Sequence, residues 1–383
     1  MHYAVQQPRV LLYRARRVAK RRAKRLARRV VPPRSAWHLT VPGVDRLLEL
    51  RWRRRIRRAP VLTPEQHAAQ VVDPTRRGAA IEVPVGCVLC GDRQVRPVLR
   101  AYDHRRKKPR WYYHVARCGE CGLLYRHPGI RPERLGDLYS SGKYAKFLAG
   151  KYTNKRIRRY TTTMASFGAL FEDGRGRRLL DFGCGNGLFL ELAHERGFAC
   201  HGVDLAADAI EVARTRPGGT RTYRGRPDEI PELAAGGFDV ITMWSVLAHI
   251  AEPVEDIAML RRLLAPDGVL LVLTVNAGSL KLKRQLERWD GFTTNHLVFF
   301  SPQTLPLLLR RAGFAAVVSP PWYGEPIELG TSPLAPWQQR LARRAIDRGN
   351  RGNMLRAAAF ASPDGPRRWG LEGTALAPST GDG

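Results

Sequence analysis

The sequence predicts an α/β chain built on a doubly wound parallel sheet, with a smaller cysteine-bearing module before it. Three observations carry that prediction. Residues 178–188 read RLLDFGCGNGL: an apolar run ends in Asp181, and Gly183, Gly185 and Gly187 follow at alternate positions. A mostly apolar segment comes next, so the stretch reads as a buried strand, a glycine turn and a helix start. Strand-like and helix-like segments then alternate as far as residue 275, which predicts a parallel sheet with ligands at the strand C-termini. Upstream lie two C-x-x-C-G pairs.

The first 60 residues carry 19 basic and 2 acidic side chains, whereas residues 151–330 carry 22 and 20. The whole chain has a net charge of +31 over 383 residues, so its basic character belongs to the N-terminal half. A nucleic-acid enzyme more often spreads basic charge over its catalytic face. Residues 9–30 have a helical composition with arginine and lysine at most non-apolar positions, and a second basic segment covers residues 51–58. An anionic membrane surface, a nucleic acid, and a basic extension with no specific ligand all fit these segments. No apolar run approaches a membrane span and no apolar segment of signal-peptide type follows the basic start, so a cytoplasmic location is expected, with peripheral attachment at the inner membrane face as one form of it.

A Pro- and Thr-containing connector occupies residues 60–80. CVLCG (Cys87, Cys90) and CGECG (Cys118, Cys121) follow, with 27 residues between the pairs. Each pair is a knuckle, in which two thiolates reach one ion from a turn that glycine permits. Two knuckles supply the tetrahedral four-thiolate set of structural zinc, in a zinc-ribbon-like module. Four sulfur ligands leave no open coordination position, so no metal catalysis is expected there. Val98, Leu99, Trp111, Tyr112, Tyr113 and Val115 between the pairs suit a small hairpin. A short helix is expected around Leu135 to Tyr139, with Tyr139 and Tyr144 as packing residues or cleft residues. A longer helix is expected over residues 151–171.

Asp204 follows Gly187 by 17 residues and closes a second short strand. A carboxylate at that position can accept two hydrogen bonds from a ribose diol. Glycine spacing separates dinucleotide from adenosyl ligands: a dinucleotide turn needs a third glycine where this chain has Leu188. Further strands are expected at residues 238–243 and 269–275, the second after a Pro-Asp-Gly turn.

With LLDFGCGNG, the Asp204 strand end, FDVITMWSVLAHI and LLAPDGVLLVLT in place, residues 155–320 resemble the class I S-adenosylmethionine-dependent methyltransferases. The resemblance implies a Rossmann-like sheet of seven strands, and RGNMLRAAAF resembles its last, antiparallel strand. The two-knuckle module, the stretch after it, and NHLVFFSPQTLPLLLRRAGF are similar to bacterial methyltransferases of sugar, polysaccharide and natural-product pathways. Carried over, the resemblance implies that Asp181, Gly183, Gly185 and Gly187 wrap the methionine part of S-adenosylmethionine. Asp204 would hold the ribose, Leu205 would flank the adenine, and Asp228 would face the adenine amine. Trp244 and Ser245 would lie near the reactive methyl. Many relatives have Leu-Glu-His where this chain has Leu247, Ala248 and His249, so no catalytic divalent metal is expected. His249 and His296 are candidate general bases, with structural roles as the alternative for each.

The resulting division is a basic extension and linker (1–80), a four-cysteine module (81–135), a methyltransferase domain (136–361) and a disordered tail (362–383). The expected activity is methylation, of O-type, of a small molecule or a glycan or lipid-linked sugar. An RNA methyltransferase that uses the basic N-terminal half, and a non-catalytic cofactor-binding or scaffold protein, are the alternatives. Residues 136–160 and 277–300 are the expected lids. Neither the acceptor nor the oligomeric state is legible.

Overall fold

The computed structural model describes residues 44–71, 82–102, 112–131, 133–134, 153–216, 220–319, 352–371 and 374–375. The basic stretch 9–30, Trp111, Tyr139 and Tyr144 lie outside them. The chain divides into two units, 51–325 with 350–383, and 1–50 with 326–349. Of the second unit only residues 44–50 are described, where helix α1 (Val44–Arg58) begins. Among the described residues no helix is long and apolar enough to cross a membrane.

In the larger unit, the basic run 51–58 is helical, and it buries Trp52 among its arginines. The expected connector contains a helix, α2 (Pro64–Val71), which buries His67 and Ala68. Strand β1 (Glu82–Val83) pairs antiparallel with β5 (Gly129–Ile130). The expected hairpin is present as β2 (Val95–Tyr102) and β3 (Tyr112–Cys118), with a register shift between Pro97 and Leu99. Proline has no N–H for the ladder, so a bulge there is the ordinary outcome. Strand β4 (Leu124–Arg126) adds to β3.

Helix α3 (Thr153–Ser166) leads to β6 (Arg178–Phe182), α4 (Leu188–His194), β7 (Ala199–Asp204), α5 (Ala207–Arg214) and β8 (Arg221–Arg224). After these come α6 (Pro231–Ala234), β9 (Phe238–Trp244), α7 (Pro253–Leu263), β10 (Leu264–Val275) and α8 (Leu280–Gln285). The C-terminal part is β11 (Val298–Phe299), α9 (Thr304–Arg311), β12 (Ala316–Ser319), β13 (Met354–Phe360), α10 (Gly365–Arg368) and β14 (Thr374–Ala375). Strands β8, β7, β6, β9 and β10 run parallel in that order. β13 lies antiparallel against β10, and β12 against β13. This is the seven-strand doubly wound sheet with its antiparallel strand, as expected. Two-residue β14 extends it beyond β12.

Both faces of the sheet are covered, so its strands are apolar at successive positions. In β10, Leu270 and Val272 enter one core while Val269, Leu271 and Leu273 enter the other. That is the period-two alternation of a strand buried on both sides. Each such fully buried side chain contributes roughly 1.5–3 kcal/mol. The expected Pro-Asp-Gly turn is an irregularity inside β10, where pairing with β9 shifts register between Leu264 and Val269.

Packing and pairing cross two of the expected boundaries. Val298 and Phe299 of β11 pair with Tyr125 and Leu124 of β4, so the cysteine module's sheet takes its edge strand from the sequence after β10. Cys87, Leu89, Cys118 and Tyr125 also share one core with Leu180, Leu263, Leu305 and Leu308. The module and the doubly wound sheet are therefore one packed body rather than two domains split at residue 135. The expected disordered tail contains α10, buried Leu371 and β14.

Candidate functional site

The site is built where β6, β7 and β9 end. Asp181 is buried, and its Oδ1 accepts a hydrogen bond from Thr242 Oγ1 at 2.6 Å. Burial pushes its carboxyl up to about 8, against the Thr242 hydrogen bond and with the added repulsion of Asp204. The turn after β6 is fixed by Gly183 and Cys184, whose N–H groups both donate to Val203 O, at 2.8 and 3.0 Å. Gly183 has φ 75° and Gly187 has φ 73°, in the left-handed region that favours glycine. A Cβ on Gly183 would lie 2.4 Å from Val246 Cγ2, so the turn admits no side chain there.

Asp204 ties two strand ends together. Its Oδ2 accepts from Gly185 N–H and its Oδ1 from Ala206 N–H, both at 2.9 Å. Burial raises its carboxyl above the ordinary range, opposed by these backbone hydrogen bonds. Leu205 beside it is a large apolar side chain left 66% exposed, next to the half-buried carboxylate. Gly225 N–H donates to Asp204 O at 3.2 Å and brings in the turn that carries Asp228. Asp228 is exposed, with its Oδ1 3.4 Å from Arg226 Nε, so the structure engages it with an arginine.

At the end of β9, Trp244 is buried against Phe189 and Phe167, with ring centroids 5.2 and 5.9 Å away. Its indole Nε1 has no hydrogen-bond partner among the described residues. Indole N–H groups usually find a partner when buried. Ser245 follows with φ 62°, a left-handed conformation costing a non-glycine residue roughly 1–2 kcal/mol. Its N–H donates to Leu273 O at 2.7 Å. Backbone strain of this kind concentrates at functional sites.

The two histidines singled out in the sequence come together. His249 and His296 pack edge to face with ring centroids 4.6 Å apart. His249 Nδ1 lies 2.9 Å from Asn295 O, and His296 Nδ1 lies 2.7 Å from Gly291 O. A carbonyl oxygen only accepts, so both Nδ1 atoms carry the hydrogen, and in each neutral ring Nε2 carries the lone pair. Ala248 is buried, and its carbonyl accepts from Leu297 N–H at 2.7 Å.

The four cysteines converge as well. Their sulfur atoms all lie within 4.8 Å of one another, with Cys87 to Cys121 at 3.5 Å and Cys90 to Cys118 at 3.4 Å. Tetrahedral zinc with Zn–S near 2.3 Å needs sulfur atoms about 3.8 Å apart, so the donor set fits. Among the described residues this is the one cluster of metal-ligand type. Gly91 (φ 78°) and Gly122 (φ 77°) make the two knuckle turns.

Several residues at these sites carry no local signal in the sequence. Thr242 reaches Asp181 from another strand. Arg216 donates through Nε to Asn186 O at 2.5 Å and pairs with Glu191 at 2.6 Å, holding the glycine turn from α5's end. Asn295 and Arg126 hold the histidine segment. The expected lid 277–300 is a packed segment: Trp289, Phe292 and Phe299 are buried against Val98, Leu99, Tyr113 and Leu124 of the module's sheet.

Residues 151–319 match the family model described as a methyltransferase domain. The four-cysteine module lies outside that match. A ubiquinone biosynthesis O-methyltransferase from Cereibacter sphaeroides is 35% identical over 155 residues, covering 37% of this chain and 62% of that protein. One from a Caulobacter species is 39% identical over 119 residues, covering 28% and 47%. The chain thus spans less than two thirds of the length of these relatives. A solved S-adenosylmethionine-dependent methyltransferase from Mesorhizobium loti is similar at 19% identity and a TM-score of 0.38, covering 52% of this chain and 97% of that one. The relatives bear ubiquinone-pathway names, so they lend no support to the expected sugar- and polysaccharide-pathway class. Residues 151–319, which match the methyltransferase-domain model, carry the sheet order and the glycine turn expected of a class I S-adenosylmethionine-dependent methyltransferase fold.

Proposed function

We propose that the protein transfers the methyl group of S-adenosylmethionine to a hydroxyl of a small-molecule acceptor. The observation that carries this reading is the joining of the glycine turn to Asp204, with Leu205 exposed beside it and Trp244 Nε1 unpartnered among the described residues. A buried donor without a partner and an exposed apolar side chain fit a cleft that holds an adenosyl ligand. In this reading Asp181, Gly183, Gly185 and Gly187 hold the methionine part, and Asp204 accepts from the ribose hydroxyls. Leu205 covers the adenine, with Asp228 near its amine. Trp244 and Ser245 border the methyl. Hydroxyl transfer is supported by the O-methyltransferase names of the relatives and by the histidine pair.

When bound, S-adenosylmethionine supplies an electrophilic methyl on a sulfonium that leaves as a thioether. This chain's part is alignment and proton removal. A neutral histidine of the pair takes the acceptor's hydroxyl proton on Nε2 as the oxygen–carbon bond forms. Nδ1–H stays on its carbonyl and holds the ring. Cys87, Cys90, Cys118 and Cys121 hold a zinc ion with a structural role, as four thiolates leave no position for substrate.

The test is transfer of label from methyl-labelled S-adenosylmethionine to a fractionated metabolite extract, with products identified by mass. A labelled small-molecule ether is expected. Label found only in RNA, or in no product despite cofactor binding, overturns the reading.

A further inference from the structure

The histidine pair is held by a segment that the cysteine module grips. Arg126, the last residue of β4, makes most of that grip. Its backbone N–H donates to Leu297 O at 2.7 Å, and its Nη1 donates to Thr294 O at 2.8 Å. Nη2 pairs with Glu82 Oε1 at 2.8 Å, with the two side chains 9% and 2% exposed. The guanidinium lies over the Tyr113 ring at 5.1 Å, and Tyr113 in turn packs edge to face on Phe292 at 6.3 Å. Arg126 is therefore fixed from three sides before it reaches the segment.

The segment's carbonyls divide between the two halves of the molecule. Thr294 O faces Arg126, while the next carbonyl, Asn295 O, takes His249 Nδ1. Gly291 O takes His296 Nδ1, and Leu297 N–H returns to Ala248 O next to His249. Neighbouring peptide planes are linked through one α-carbon, so a shift at Thr294 moves the acceptor that sets the His249 tautomer. A planar fork with several donors suits this task, because one guanidinium can hold a carboxylate and a carbonyl at once.

We propose that Arg126, braced by Glu82, is a positioning residue for the His249–His296 pair, so that the cysteine module sets the tautomer and aim of both imidazoles. Its consequence for turnover rests on the proposed methyl transfer, but the positioning itself does not. It follows that the module is part of the machinery that orients the acceptor's proton. A lysine in place of Arg126 keeps the charge opposite Glu82 but offers a single ammonium, which cannot hold both partners in the same geometry.

The test uses the full chain labelled with ¹⁵N-histidine, with and without saturating S-adenosylhomocysteine. Long-range ¹H–¹⁵N spectra at pH 8 are assigned with His249→Gln and His296→Gln. In the wild type both rings are expected as the Nδ1–H tautomer. In Arg126→Lys both are expected to move toward the averaged tautomer shifts. The double variant Glu82→Gln/Arg126→Gln, which leaves no lone buried charge, should move them further. Val95→Ala, which loosens the module's core but removes none of Arg126's hydrogen-bond partners, should leave the wild-type pattern. S-adenosylhomocysteine affinity should stay within about twofold in Arg126→Lys, while methyl transfer to the extract falls at least tenfold. Wild-type tautomers in Arg126→Lys, or an equal change in Val95→Ala, overturn the proposal. Failure of the wild type to bind S-adenosylhomocysteine overturns the functional reading and leaves the tautomer result standing.

Discussion

Asp181→Asn should stabilise the ligand-free protein while weakening its hold on cofactor. Asp181 is buried and its folded pKa is about 8, against 3.8 for the ordinary group. Between those values the folded state binds one proton more than the unfolded state, so stability falls as pH rises. At about 1.4 kcal/mol per pH unit, the cost reaches about 2 kcal/mol at pH 5 and about 4 kcal/mol at pH 7. Asparagine has the same shape, and its carbonyl oxygen can still accept from Thr242 Oγ1, so the variant removes the cost without breaking the contact. With an unfolding entropy of about 2.1 cal/mol/K per residue over 383 residues, each kcal/mol shifts Tm by about 1.2 °C, so Tm at pH 7 should rise by about 5 °C. The assay is thermal unfolding of wild type and variant from pH 5 to pH 8. The gap between them should widen with pH. A gap that is constant, or a variant less stable than wild type at pH 7, refutes the burial argument. Calorimetry in buffers of different ionisation heat adds a second check, since binding of a cationic ligand should release the Asp181 proton.

Three further outcomes are expected. Gly183→Ala meets both a positive φ and Val246, so it should lose on the order of 1–3 kcal/mol of stability and most of its cofactor affinity; near-wild-type values for both would contradict the turn geometry. Chelation of a zinc-loaded preparation should lower Tm in a single transition for the whole unit, because the cysteines share its core; two transitions, with the larger unmoved, would contradict this. His67 and His127, with Nδ1 atoms 2.7 Å apart beside His114, Tyr125 and Glu65, are pushed by burial down to about 4 and about 3. Their depressed folded pKa means that the unfolded state takes protons first, so stability falls as pH drops from about 6.5 toward 4, on the order of 3 kcal/mol for one ring. A His67→Gln variant should show a flatter acid limb, and an unchanged limb would count against the pair.

The parts legible in the sequence are those set by local spacing. Gly183, Gly185 and Gly187 mark a turn because all three take a positive φ, and Asp204 follows at the length of one helix and strand. Cys87 and Cys90, like Cys118 and Cys121, declare a knuckle within four residues. The parts that were not legible depend on contacts across the fold. His249 and His296 each carry a weak signal alone, and only tertiary packing makes them a pair. Arg126 and Thr294 are 168 residues apart, and nothing in the RHP context of Arg126 marks it among 65 basic residues. The packing across residue 135 is illegible for the same reason. Val298 and Phe299 read as part of a loop after a fifth strand, and their pairing with Tyr125 and Leu124 is a long-range register that no periodicity encodes. The tail's Gly and Pro content concealed α10 and Leu371, whose order comes from burial.

The most direct test of the account is titration calorimetry of S-adenosylhomocysteine into the full chain, wild type against Asp204→Ala. The wild type is expected to bind one equivalent saturably. On the proposed reading Asp204→Ala would remove a carboxylate acceptor of two ribose hydrogen bonds, each worth about 1.5–3 kcal/mol, so affinity should fall at least a hundredfold. No binding by the wild type, or equal binding by the variant, would contradict the assignment of the β6–β7 ends as the cofactor site.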